Sequence, residues 1–163
     1  NVEYFKEPAS FHFADKAVKV PGLDGTGKMG KSEGNCLYLC DDEKTVTKKI
    51  MRAVTDQGPT QLNQEKPEVI QNLFTLCELL SGKEAADYYN DLYNNMTIRY
   101  GDMKKQMAAD ANALLAPIRE RILAYSSDDA LLERVMRQGA EKAAARAEKT
   151  IEEVREIIGF RKI

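Results

Sequence analysis

Apolar and polar positions change their spacing near Asp41-Asp42. From there to the end, apolar residues recur every three or four positions, the spacing that places them on one face of an α-helix. The first helix is predicted from about Glu43 to Val54, with Asp41 or Asp42 as N-cap and Val46, Ile50, Met51 and Val54 on one face. Asp56-Gln57-Gly58-Pro59 ends it. The second starts near Pro67, suited to a first turn, and buries Val69, Ile70, Leu73, Phe74, Cys77 and Leu80 before Gly82 stops it. The third, capped by Ser81, carries Ala85, Tyr88, Tyr89, Leu92, Tyr93 and Met96; at that spacing the tyrosines read as core rather than as a stacking platform. A fourth runs from about Asp102 to Tyr125 through Met103, Met107, Leu114, Leu115, Ile118 and Ile122, and Pro117 inside it should kink or split it. The fifth and longest extends from Asp128, behind Ser127, to Ile158, with Gly159 as its C-terminal stop.

Before Asp41 the pattern is broken by Pro8, Pro21, Gly22, Gly25, Gly27, Gly30 and Gly34, with strand-like pieces only at Ala17–Val20 and Cys36–Cys40. Two short strands make no sheet alone. The fold class expected is therefore mainly α: a helical bundle over residues 42–163, preceded by a strand-and-loop remnant over residues 1–41 that needs partners outside this sequence.

The chain has 163 residues, 43% of them apolar, enough for one ordinary core. No apolar run approaches the roughly 18 to 20 residues of a membrane-spanning helix, and the opening residues lack a charged-then-apolar export pattern. A soluble, cytoplasmic protein is expected. The three cysteines, Cys36, Cys40 and Cys77, form no C-x-x-C pair, and His12 is the single histidine, so buried reduced thiols are expected and no protein-bound metal. With a formal charge of -2, the whole chain does not advertise nucleic-acid binding, and any basic surface must be local.

The chemistry concentrates in Val20-Pro21-Gly22-Leu23-Asp24-Gly25-Thr26-Gly27-Lys28-Met29-Gly30-Lys31-Ser32-Glu33-Gly34-Asn35. Glycines let backbone N–H groups approach phosphate oxygens, and lysines supply compact positive charge. The same composition also suits a solvated loop. Gly25 to Ser32 satisfies the Walker A pattern G-x-x-x-x-G-K-S, but a P-loop opens directly into a helix, and here Ser32 leads to Glu33-Gly34-Asn35 and the strand-like Cys36–Cys40.

Lys28-Met29-Gly30-Lys31-Ser32 also resembles the KMSKS signature of class I aminoacyl-tRNA synthetases, one residue from consensus. Pro21–Gly25, Gly34-Asn35, Arg52–Asp56, Tyr100–Lys105 and the tail from Gly139-Ala140-Glu141-Lys142-Ala143 through Thr150 to Val154 and Gly159 resemble the tryptophanyl family in order. The resemblance spans nearly the whole chain. It departs in two places: Gly30 stands where the family usually has serine, and Thr26-Gly27 lengthens the approach to Lys28, both expected to loosen the loop. The family's HIGH-type motif is absent, and His12 in Ser10-Phe11-His12-Phe13 is not part of one.

The resemblance implies a tryptophan-tRNA ligase, present as a C-terminal fragment that is inactive alone. Residues 1–41 would be the end of a class I Rossmann-like catalytic domain, and residues 42–163 a helical anticodon-binding domain. It implies ATP, as its Mg complex, with tryptophan and tRNA(Trp) as substrates and a homodimer when full length. Lys31 and Lys28 would be catalytic cations toward the leaving pyrophosphate. Met29, Gly30 and Ser32 would complete the ATP phosphate site, Met29 and Gly30 through backbone donors. From Arg134 onward, basic residues outnumber acidic ones. That stretch reads as a solvated helix face or, by the resemblance, as a tRNA surface carrying Arg134, Arg137, Lys142 and Arg146. The alternatives are a stand-alone helical RNA-binding or interaction module and a P-loop nucleotidase.

Overall fold

The computed structural model describes residues 3–11 and 19–160. His12, Ala17, Val18, Arg161 and Lys162 lie outside them. Among the described residues there are five α-helices and no strand: α1 (Glu43–Met51), α2 (Glu68–Ser81), α3 (Lys83–Asn94), α4 (Tyr100–Ser126) and α5 (Asp129–Ile157). The mainly helical expectation is met.

The chain divides into two compact units. One comprises Ala17–Ile122. Its core is built from Val46 and Ile50 of α1, Leu73, Leu76 and Cys77 of α2, Ala86 and Tyr89 of α3, and Met103, Met107, Ala108, Ala111 and Leu115 of α4. Asp42 starts α1, its carboxylate accepting from the Thr45 amide at 2.6 Å, and the Thr45 hydroxyl first and this amide second hold the Asp42 carboxyl below its usual pKa. Helices α2 and α3 pack through an edge-on contact of Phe74 and Tyr93, centroids 5.9 Å apart. Lys66 Nζ lies over both rings at 4.8 and 4.6 Å, and burial lowers its pKa. The tyrosines divide: Tyr89 and Tyr93 are buried, whereas Tyr88 is exposed.

Several boundaries differ from the sequence reading. Helix α1 stops at Met51, because the Val54 amide donates to Leu23 O instead of continuing the helix and Ala53 O accepts from Lys104; Val54 itself is exposed. Ser81 does not cap α3; it is the last residue of α2, and the single residue Gly82, at φ 84°, turns the chain between the helices. Asp128 rather than Ser127 caps α5, accepting from the Leu131 amide at 2.9 Å. Helix α4 runs unsplit through Pro117. Cys36 and Cys77 are buried, but Cys40 is exposed. The strand-like Cys36–Cys40 pairs with no ladder partner among the described residues and ends in a turn, with the Asp41 amide donating to Tyr38 O at 3.0 Å.

The other unit comprises Asn1–Lys16 and Leu123–Ile163. Within it α5 has no buried residue, and Val135, Met136, Ile151 and Ile157 are exposed despite their helical spacing. Tyr4 donates its hydroxyl to the Glu153 carboxylate.

Candidate active site

The glycine- and lysine-rich loop is fastened to the helices at its base. Leu23 is buried in the core, a contact that contributes about 2 kcal/mol to holding it there. Its carbonyl accepts from the Val54 amide at 3.0 Å and its amide donates to Asn35 O at 2.9 Å. Asn72 of α2 donates to Gly25 O at 2.9 Å. Gly25 sits at φ 85°, and a Cβ there would stand 2.7 Å from Val69, so both backbone shape and space call for glycine.

Above this base, Asn35 organises the loop from inside. It is 5% exposed. Its Oδ1 accepts from the Gly30 amide at 2.8 Å, while Nδ2 points among Asp24 Oδ1 at 2.9 Å, Thr26 Oγ1 at 3.1 Å and Lys28 O at 3.2 Å. Asp24 also accepts from the Thr26 hydroxyl at 2.7 Å and the Thr26 amide at 3.1 Å. These bonds, those from Thr26 first, hold the Asp24 carboxyl below its usual pKa. Gly22 makes room for the cluster, since a Cβ there would lie 2.3 Å from Asn35 Nδ2 and 2.5 Å from Asp24 Oδ1.

This geometry revises two expectations. The amides of Met29 and Gly30 are not free donors: Met29 donates to Val20 O at 2.6 Å and Gly30 to Asn35. Thr26, expected to loosen the loop, is a member of the cluster that ties it. What remains for a ligand is a cleft of about 820 Å³ lined by Lys19, Asp24 and Thr26 through Glu33. Lys28, Lys31 and Ser32 are exposed along it, and neither lysine forms an ion pair among the described residues. The Lys31 and Ser32 amides likewise lack partners there. Asp24 faces the same cleft but its charge is engaged by Thr26 and Asn35. Two cations, a hydroxyl and two amides around an open space suit a polyphosphate. The Walker A reading fails on placement, since no helix begins after Ser32 until Glu43.

Segments far apart in sequence converge behind the loop. Lys104 of α4, 7% exposed, donates from Nζ to Ala53 O at 2.6 Å, one residue before the Val54 amide that holds Leu23. Burial lowers the Lys104 pKa. Tyr100 donates its hydroxyl to Asp56 at 2.8 Å, and burial together with that carboxylate raises its pKa.

The sequence model of the family "tRNA synthetases class I (W and Y)" matches residues 1–116, which include the whole cleft. The chain belongs to this family. Among curated relatives, the tryptophan--tRNA ligase of Porphyromonas gingivalis is 57% identical over 160 residues, which are 98% of this chain and 49% of that protein. The ligase of Streptococcus pyogenes serotype M1 is 38% identical over 151 residues, 90% of this chain and 44% of its own length. The chain thus spans about half the length of the curated relatives it matches. Among solved structures, a tryptophanyl-tRNA synthetase from Campylobacter jejuni, complexed with ADP and tryptophan, superposes over 90% of this chain and 45% of its own, with a TM-score of 0.71 and 25% identity. A second structure from the same organism gives 0.66 at 28% identity, covering 88% of this chain and 44% of its own.

The structure brings all five residues of Lys28–Ser32 to one cleft or its wall. The four basic residues singled out beyond it are not gathered in the same way. All lie exposed on α5. Arg134 and Arg137 share a shallow groove with Glu133, Gln138 and Glu141, whereas Arg146 borders a separate, apolar hollow with Phe5, Ile151 and Val154. Lys142 lines neither. At about 100° per residue the four spread over roughly half the helix circumference. Sequence reading overlooked Asn35, Asp24 and Lys104, whose roles depend on hydrogen bonds to distant residues. The one available signal was a buried-type asparagine closing a loop otherwise made of glycine and charge.

Proposed function

We propose that this chain carries the phosphate loop and the helical tRNA-binding part of a tryptophan-tRNA ligase. The observation that carries the reading is the cleft: Lys28, Lys31 and Ser32 stand around one opening with no side-chain partner among the described residues, in a chain 57% identical to a tryptophan--tRNA ligase. In the reaction proposed, a tryptophan carboxylate oxygen attacks the α-phosphorus of ATP. The new P–O bond gives the adenylate, the α–β bridging bond breaks, and its electron pair leaves with pyrophosphate. The adenylate then passes the amino acid to the terminal ribose of tRNA(Trp).

Negative charge grows on the leaving pyrophosphate, so fixed cations and N–H donors beside it lower the barrier. Lys31 is assigned the main contact, Lys28 the second cation and Ser32 a hydroxyl. Met29 anchors the loop on the core, and Gly30 is held by Asn35. ATP enters as its Mg complex; the reading places no metal on the protein itself. Residues 1–41 are assigned to the catalytic domain and 42–163 to the helical domain, with Arg134, Arg137, Lys142 and Arg146 on the tRNA side. The reading includes a homodimer in the cytoplasm. No described helix is long and apolar enough to cross a membrane.

The test is Lys31→Ala in a protein spanning the relatives' full length, assayed as tryptophan-dependent exchange of pyrophosphate into ATP. Loss of one well-placed donor lowers kcat roughly 100- to 1,000-fold, with a smaller change in ATP affinity, and Lys28→Ala costs less. An exchange rate within twofold of the parent defeats the assignment.

A further inference from the structure

We propose that Asn35 is a positioning residue for the phosphate site, a latch that fixes Lys28 and Lys31 relative to each other before the ligand arrives. This rests on the phosphate reading of the cleft. Asn35 touches no part of the space a ligand would fill. It acts through the backbone on both sides of the cations: Lys28 O accepts from its Nδ2 at 3.2 Å, and the amide of Gly30, the residue before Lys31, donates to its Oδ1 at 2.8 Å. A rotation of this one side chain therefore frees the loop at both lysines.

The residue type follows from what surrounds it. One side needs an acceptor, for the Gly30 N–H. The other needs a donor, toward Asp24 Oδ1, Thr26 Oγ1 and Lys28 O. Only a side-chain amide offers both at one carbon. An aspartate of the same shape would turn a carboxylate oxygen toward Asp24 at about the present 2.9 Å, replacing attraction with like-charge repulsion. The space is reserved for it, because any side chain at Gly22 would begin 2.3 Å from Nδ2. With the Met29 and Gly30 amides engaged inside the loop, the Lys31 and Ser32 amides are among the cleft-lining donors that have no partner among the described residues. The latch thus determines which face of the loop meets an anion, and ordering the loop in advance lowers what binding must otherwise supply.

The test uses the purified 163-residue chain labelled with ¹⁵N, titrated with inorganic pyrophosphate at constant ionic strength, with amide exchange recorded alongside. In the parent, saturable shifts are expected at the Lys31 and Ser32 amides. Asn35→Asp should weaken pyrophosphate binding at least tenfold and speed exchange at Gly30, while protection of Tyr93 and Met107 stays unchanged. Adding Asp24→Asn to Asn35→Asp removes the like charge but restores no donor toward Lys28 O, so affinity should stay at least threefold below the parent. Lys31→Ala should lose binding yet keep Gly30 protected, which a merely folded-or-unfolded loop would not do. Should Asn35→Asp fail to fold, Thr26→Val removes one latch partner without adding charge and should weaken binding at least threefold. Parent-like binding by Asn35→Asp, by Thr26→Val or by the double variant overturns the latch alone. Absence of pyrophosphate shifts in the parent overturns the phosphate reading and the latch with it.

Discussion

Replacing Gly22 by alanine isolates the packing of the loop from its charge. The φ of Gly22 is outside the left-handed region, so alanine meets no backbone strain there and the consequence is steric. The new methyl would sit 2.3 Å from Asn35 Nδ2, 2.5 Å from Asp24 Oδ1 and 2.8 Å from Thr26 Oγ1, well inside van der Waals contact for all three. Adding a methyl to a filled site costs about 1 to 3 kcal/mol. The upper half of that range applies, because the three neighbours have short side chains and each must give up a hydrogen bond to move aside.

A loss of about 2 to 3 kcal/mol in local stability lowers the protection of an amide governed by that opening by about 30- to 150-fold. The amide to follow is that of Gly30, which donates to Asn35. Amides in α2 and α4 should change far less, since the cluster lies above the core rather than in it. Gly27→Ala is the matched control: a Cβ there has nothing within 4 Å, and its φ is likewise outside the left-handed region. Gly30 exchange in Gly22→Ala within twofold of the parent, or an equal effect from Gly27→Ala, would refute the reasoning.

Gly30→Ser should be accepted, since its Cβ would meet only the Glu33 side chain, at 3.2 Å from Cγ, and the reduced freedom of the unfolded loop should raise protection of the amide at position 30 about two- to fivefold, read by the same exchange experiment. The Asp24 carboxyl, held down first by the Thr26 hydroxyl, should titrate below the ordinary aspartate value in a ¹³C pH series, and Thr26→Val should move its midpoint up. Because the folded pKa is the lower one, the loop order Asp24 contributes is present in full above the ordinary value and is lost as pH falls through the folded value; a parent midpoint at or above the ordinary value contradicts this. Iodoacetamide at pH 8 should modify Cys40 first in the native chain, with Cys36 buried and Cys77 buried and its thiol pushed up by burial to about 11, and mass spectrometry showing equal labelling of the three would count against the burial pattern.

The helices were legible because their apolar spacing is a local property and because a start such as that of α1 carries a recognisable cap, Asp42. What spacing does not encode is whether a periodic residue finds a partner. Val54 continues the α1 period yet is exposed, lying beyond the end of the helix with its amide bonded to Leu23 O. Ile151 and Ile157 keep the period on α5 and are exposed too. Ser81 looked like a cap because hydroxyl residues usually precede helices, but one glycine at positive φ suffices to join α2 and α3. In the loop, the cations were legible as residue types. Which amides stay free was not, because Asn35 reaches back 5 residues to Gly30 and 11 to Asp24.

The same contacts explain why the stretches that resemble the family fall where they do along the chain. Pro21–Asn35, Arg52–Asp56 and Tyr100–Lys105 are separated by whole helices, yet each holds the next: Leu23 is fixed by the Val54 amide, Ala53 by the Lys104 ammonium, and Asp56 by the Tyr100 hydroxyl. A buried lysine is costly unless its charge is met, and Lys104 meets a carbonyl rather than a carboxylate. Its replacement by methionine would relieve that cost but leave Ala53 O without its donor, in the segment that seats the glycine- and lysine-rich loop. The three stretches therefore form one support. Helix α4 lends the rigid element, residues 53–56 the adaptor, and Leu23 the foot of the loop. The position of Lys28 and Lys31 is thus set from α4 as well as from within the loop.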